Sequence, residues 1–355
     1  MKARKLNQLA KEDRDLIIRF SHNAQYARRY LEEGLRVRTF AETLMQFSGY
    51  RDTSKLREAL RGGLFGMPDE PVQMDSLRRK VDMWLSGRIV PENRQQLIRI
   101  CFALKMDEEH AQNFMAVTSS GALHHRNPEE LAYLFALRND LPYHDALALA
   151  ERIRFIQLGN AGRTDAISAA FDRVRGADEF IRFVHDHRLN LGQMHNTAYE
   201  YFCKYLDVLT SPAGRFTDVS EQVYTVREIV RLYLQLPNGG SGVIVKALRK
   251  HWPDELTISR IINRRVDVPR KVLTLLFLIT DGEADGEGAL LETDDPIALF
   301  IDRYGRCNKM LDECGYNQLD PRNVFDWLAI YCMYTSEEND ANELMQAVLR
   351  DIFNR

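Results

Sequence analysis

Contact with phosphate is the chemistry that residue type and spacing favour most in this chain. From Val243 to Lys271, eight basic residues (Lys246, Arg249, Lys250, Arg260, Arg264, Arg265, Arg270 and Lys271) oppose only Asp254, Glu255 and Asp267, a local balance of +5. From Ser76 to Met106 the balance recurs, with Arg78, Arg79, Lys80, Arg88, Arg94, Arg99 and Lys105 against Asp82 and Glu92. The whole chain is −3. Positive charge is therefore concentrated in two stretches, the distribution that binding to nucleic-acid phosphates requires.

Other chemistries are weaker. Asp281, Glu283, Asp285 and Glu287 alternate, and a calcium loop begun at Asp281 puts Gly286 sixth and Glu292 twelfth. Glu283 stands third, where Asp or Asn is usual, so a solvated acidic loop is the simpler expectation. Such a loop could also shield the basic face from non-specific DNA. His185 and His187, with His195 further on, suggest a metal cluster, but i, i+2 spacing puts the pair on different helix faces. His124-His125 precede Arg126, and surface or capping roles are the plain expectation for all of these histidines. Five scattered cysteines make no C-x-x-C pair, which points to free thiols and no structural zinc. No nucleophile elbow, H-E-x-x-H, Walker loop or dinucleotide fingerprint occurs. The chain is expected not to be an enzyme and to need no metal or cofactor.

The elements that position the basic residues are helices. Glu, Arg, Leu and Ala dominate and apolar residues recur at three and four, so the expected class is all-α. One helix is predicted over about 244–251, with Ile244, Val245 and Leu248 inward and Lys246, Arg249 and Lys250 outward, stopped by Trp252-Pro253. The next starts near Asp254, a natural cap, with Leu256, Ile258, Ile261 and Ile262 as its apolar contacts. That order, followed by Asn263-Arg264-Arg265, a proline and a long apolar helix, is a helix-turn-helix pattern. Setting Trp84-Leu85-Ser86-Gly87-Arg88 beside Ile261-Ile262-Asn263-Arg264-Arg265 brings Pro91 within one residue of Pro269. Downstream, Asn113, Gly121, Leu123, Arg126-Asn127 and Glu130 recur as Asn308, Gly315, Leu319, Arg322-Asn323 and Asp326. The chain reads as an internal duplication.

At WLSGRIVP and IINRRVDVP, within about 70–105 and 241–280, the chain resembles the Cro and lambda-repressor-like helix-turn-helix family. The resemblance implies double-stranded DNA binding through the second helix of each unit. The DNA contacts it suggests are Thr257 and Arg260 on the second reading helix, with Lys246, Arg249, Lys250, Arg264, Arg265, Arg270 and Lys271 around it. In the first copy they are Arg78, Arg79 and Lys80, with Arg88 and Arg94 on the backbone. Arg126-Asn127 and Arg322-Asn323 precede helices, where capping is the first expectation and phosphate contact the second. The first copy departs from the pattern at Gly62-Gly63 and Met67-Pro68-Asp69-Glu70-Pro71.

Punctuation at Gly159–Gly162 and Pro237–Gly240 divides the chain into three: 1–159 with the first unit and its extension, a helical middle domain at 160–237, and 238–355 with the second. The aromatics of the middle segment, Phe171, Phe180, Phe183, Tyr199, Phe202 and Tyr205, have the spacing of core residues. No apolar run reaches the ~20 residues of a membrane span, and the charged N-terminus is not a signal peptide. A cytoplasmic transcriptional regulator with both units in one chain is the leading expectation, with a homodimer also open. The alternatives are a scaffold that binds a protein partner through these units, and a nucleic-acid-linked activity with an RNA partner or an uncharacterised catalytic site.

Overall fold

A computed structural model describes residues 11–21, 23–35, 38–68, 73–91, 93–118, 121–159, 164–192, 194–210, 225–250, 252–282, 295–334 and 340–354. Among them every regular element is helical. The chain forms two compact units, and neither is continuous in sequence. A first-copy unit takes Arg38–Asn196 and Gly315–Asn317; a second-copy unit takes Met1–Val37, Thr197–Cys314 and Gln318–Arg355.

This partition differs from the three segments expected at 1–159, 160–237 and 238–355. Five of the six middle aromatics are buried, in two cores, and Tyr199 is half-buried. Phe171 and Phe180 are fully buried in the first-copy unit, where Phe180 stacks on Phe135 at 5.1 Å. Phe202 and Tyr205 are fully buried in the second-copy unit, Tyr205 meeting Phe277 edge-on at 6.4 Å. At the expected boundary, Gly159 donates to the Arg188 carbonyl at 3.0 Å, and a Cβ there would lie 2.5 Å from the Leu189 carbonyl oxygen. That glycine is a close-packing residue rather than a linker. The N-terminal helices α1 (Lys11–Arg19) and α2 (Ala24–Arg29, continued by a π turn over Tyr30–Gly34) belong to the second-copy unit. Tyr30 stacks on Trp327 at 4.7 Å, and the Tyr331 hydroxyl donates to the Phe20 carbonyl and accepts from the Asn23 N–H.

In the first-copy unit, α3 (Phe40–Ser48) opens with a Thr39–Glu42 capping box and buries Phe40, Leu44 and Phe47, the face its spacing predicts. Helix α4 (Thr53–Leu64) runs through Gly62-Gly63. A Cβ on Gly63 would sit 2.4 Å from the Ala103 carbonyl oxygen, so glycine lets α4 lie against α6 (Arg94–Ala103). Between them in sequence is α5 (Met74–Leu85), with Leu77, Val81 and Trp84 buried. Helices α7 (Glu108–Thr118), α8 (Pro128–Arg138), α9 (Tyr143–Ile153), α10 (Thr164–Phe171) and α11 (Ala177–Asp186) complete the unit. The second-copy unit adds α12 (Asn196–Thr210), α13 (Val226–Ile229, with a π turn over Val230–Leu234), α14 (Val243–Arg249) and α15 (Glu255–Ile262). Helices α16 (Arg270–Thr280), α17 (Pro296–Glu313), α18 (Val324–Met333) and α19 (Asp340–Phe353) follow.

The same side-chain bonds occur within each unit. Arg94 pairs with Glu130 through Nε at 2.5 Å and Nη2 at 2.7 Å and reaches the Ala122 carbonyl; Arg270 pairs with Asp326 at 2.8 and 2.9 Å and reaches the Gln318 carbonyl. The acids also accept main-chain N–H groups, of His124 and Asp320 respectively. Asn127 caps α8 and Asn323 caps α18. The Leu123 N–H donates to Gln112 Oε1 at 2.6 Å as the Leu319 N–H does to Asn308 Oδ1 at 2.8 Å. These bonds shift the sequence alignment by one residue at Asn308, which matches Gln112 and not Asn113, and by two at Gly121, which matches Asn317 and not Gly315.

Candidate nucleic-acid interface

Helix α15 starts where Asp254 caps it, accepting the Thr257 N–H at 2.7 Å. The Thr257 hydroxyl and N–H together hold the Asp254 carboxyl below its usual range. Thr257 therefore faces its own cap, and Arg260 is the exposed polar residue one turn on. Ile258 and Ile261 are buried as expected, but Leu256 is 57% exposed and Ile262 36%. At about 100° per residue, Leu256 points nearly opposite Ile258. On α14, Val245 and Leu248 are buried and Lys246, Arg249 and Lys250 exposed, as their spacing predicts.

The corner after α15 is built from hydrogen bonds that also close α5. Asn263, Arg264 and Arg265 donate to the carbonyls of Ser259, Ile261 and Arg260; Ser86, Gly87 and Arg88 donate to those of Asp82, Trp84 and Met83. Arg264 is held at φ 52°, and its guanidinium lies 4.0 Å over the Tyr199 ring, whose hydroxyl donates to the Ile262 carbonyl at 3.0 Å. Tyr199 thus ends α15 and orients its corner arginine. Local spacing gave no sign of it, because it lies 63 residues before Ile262.

Two residues expected at the DNA backbone in the second copy are engaged internally. Arg270 is in the ion pair with Asp326, whose side chain is 4% exposed. Lys271 Nζ donates to the Leu248 carbonyl at 3.1 Å and the Lys250 carbonyl at 2.5 Å, ending α14, between the rings of Trp252 and Phe325. Burial pulls its ammonium down to about 8. Arg249 reaches the Gly239 carbonyl at 2.6 Å and lies over Phe353. Lys246, Arg260 and Arg265 are exposed and form no ion pair among the described residues.

The first copy is arranged differently. Arg94, paired with Glu130, is a strut and not a surface cation. Arg78 pairs with Asp75 at 3.3 Å, Lys80 lies over Trp84, and Arg79 and Arg88 are exposed. Asp82, on the outer face of α5, takes Arg61 Nη2 at 2.8 Å and Arg57 Nε at 3.0 Å, both from α4. Neither arginine stood out in the sequence. Ile89 and Val90 beyond the corner are 50% and 44% exposed.

No protein-family model, curated protein or solved structure matches this chain.

The remaining candidate sites separate. Arg126 is fully buried and donates to the carbonyls of Asn190 and Met194 at 3.1 and 2.7 Å, while Asn127 and Asn323 are caps. His195 stacks on His124 at 3.8 Å, and His187 lies against Phe183 at 4.6 Å. Asp281, the first position of the calcium-loop reading, is bound through both oxygens by Arg303 at 2.7 Å; residues 283–294 lie outside the described residues. Among the described residues no group of three His, Cys, Asp or Glu is placed to hold a metal, and no helix is long and apolar enough to cross a membrane.

Proposed function

We propose that the chain binds double-stranded DNA, as a regulator of transcription, through the helix-turn-helix formed by α14 and α15. The observation that carries this reading is the exposure of Arg260, Arg264 and Arg265 on a capped eight-residue helix and its corner, with Lys246 exposed on α14. Arg260 is placed for a base edge, where a bidentate pair with guanine is worth roughly 1–3 kcal/mol of discrimination. Lys246, Arg264 and Arg265 surround it as phosphate contacts, which set register without reading sequence.

Binding to a mixed duplex pool at two salt concentrations tests it, beside a variant with Arg260, Arg264 and Arg265 changed to Ala. Each lost phosphate contact flattens the slope of log affinity against log salt by ~0.9. A steep slope lost in the variant supports the reading; no binding by the parent at low salt ends it.

A second reading, a scaffold for a protein partner, is favoured by exposed apolar residues on α15 and its corner. Leu256, Ile262 and Val266 are all exposed beside the arginines. Large exposed apolar side chains at the centre of a polar rim are what protein interfaces use.

A further inference from the structure

The two copies give each other a reference, because the bonds that close α5 and α15 put their residues in register. Trp84 corresponds to Ile261, Asp82 to Ser259 and Met83 to Arg260. The ends of α4 and α14 can be compared by their last bonds: the Phe65 N–H donates to the Arg61 carbonyl and the Lys250 N–H to the Lys246 carbonyl, which puts Arg61 and Lys246 at the same distance from the end of their helix. In the second copy Lys246 on the first helix and Ser259 on the second are both exposed. In the first copy the cation faces a carboxylate and is bound by it, with Arg57 added. The position of the candidate base-reading Arg260 is filled by a methionine.

We propose that duplex recognition is confined to the second copy, and that Asp82 silences the first by holding Arg57 and Arg61 off the phosphates. This rests on the DNA-binding reading above. The carboxylate acts twice: it occupies both guanidinium groups, and it places a negative charge at the middle of the face that would approach a polyanion. The cations left to the first copy, Arg79 and Arg88, stand without the central arginine that the second copy has.

The experiment uses the full chain and a random-sequence duplex, with affinity measured by fluorescence anisotropy from low to moderate salt. Four proteins are compared: the parent, Arg79→Ala with Arg88→Ala, Asp82→Ser, and Asp82→Ser with Arg57→Ala and Arg61→Ala. The double alanine variant is expected to bind as the parent does. Asp82→Ser copies the residue of the second copy and frees two arginines, so the salt slope should steepen by ~1.8 and low-salt affinity rise about tenfold. Removing Arg57 and Arg61 from that variant should restore the parental slope. Circular dichroism melting of each protein shows that the fold is kept.

Loss of binding in the Arg79/Arg88 variant would mean that the first copy already reads DNA. A folded Asp82→Ser protein with the parental slope, or a steepened slope that survives loss of Arg57 and Arg61, would remove Asp82 from the role given to it. Failure of the parent to bind at low salt would instead end the DNA-binding reading itself.

Discussion

Gly87 and Arg264 occupy the same left-handed backbone position in the two copies, at φ 71° and 52°, each donating its N–H to the residue three before it, Trp84 and Ile261. Glycine adopts that conformation freely, whereas an L side chain there costs roughly 1–2 kcal/mol. The second copy keeps the strained residue, and its guanidinium rests on Tyr199 at the outer face of the corner.

Arg264→Gly therefore relieves backbone strain while removing one cation. The melting temperature is expected to stay near that of the parent, since the relief is offset by the greater freedom of glycine when unfolded and by the lost ring contact. The DNA salt slope should flatten by ~0.9. The reciprocal Gly87→Ala should cost about 1 kcal/mol of stability, read from denaturant unfolding. A large destabilisation by Arg264→Gly would show that the contact with Tyr199 outweighs the strain.

Asp326→Asn should destabilise strongly. Its side chain is 4% exposed and Arg270 17%, and leaving one charge of a buried pair unmatched costs about 3–5 kcal/mol. Glu130→Gln, its counterpart, should cost less, because Arg94 is 31% exposed and water can solvate it. Urea midpoints with unchanged m-values would measure both.

His124 gives the fold an acid sensitivity. It is buried, its two ring nitrogens have no hydrogen-bond partner, and burial, then the nearby His195 and Arg126, push its protonation well below the ordinary 6.5. The unfolded chain takes up this proton near 6.5 and the folded chain does not. The stability it contributes is present above 6.5 and lost as pH falls below it. His124→Phe keeps a ring on His195 and removes no hydrogen bond from the side chain. The expected result is a near-neutral change at pH 7.5 and a shallower fall in melting temperature between pH 7 and 5. An unchanged acid profile would assign the sensitivity elsewhere.

Gly63→Ala should push α4 away from α6, because the added methyl would meet the Ala103 main chain at 2.4 Å. Overpacking of this kind costs roughly 1–3 kcal/mol. Gly62→Ala, one residue away in open space, should be neutral or slightly stabilising.

Much of the local structure was legible because it is set by near neighbours. Asp254, Asn127 and Asn323 cap their helices from within three residues, and Val245, Leu248, Ile258 and Ile261 are buried as their periodicity requires. The fate of the basic residues was not legible. Arg94, Arg270 and Lys271 look like surface cations in a charge count, but their partners Glu130, Asp326 and the Leu248 carbonyl lie 36, 56 and 23 residues away. The same holds for Asp82, whose partner Arg61 is 21 residues back. The glycine-rich breaks misled for a different reason: a glycine that permits close packing and one that permits a flexible turn look alike in sequence.

The discontinuity of the second-copy unit sets an order on its making. A ribosome that has emitted residue 196 has supplied every helix from α3 to α11, so the first-copy unit has nearly all of its core. The helix pair α14–α15 is not yet made, and α1 and α2 are still without Trp327 and Tyr331, against which Tyr30 and Asn23 come to rest. A chain that stops early presents the unit with the arginine-bound Asp82 and no completed second one.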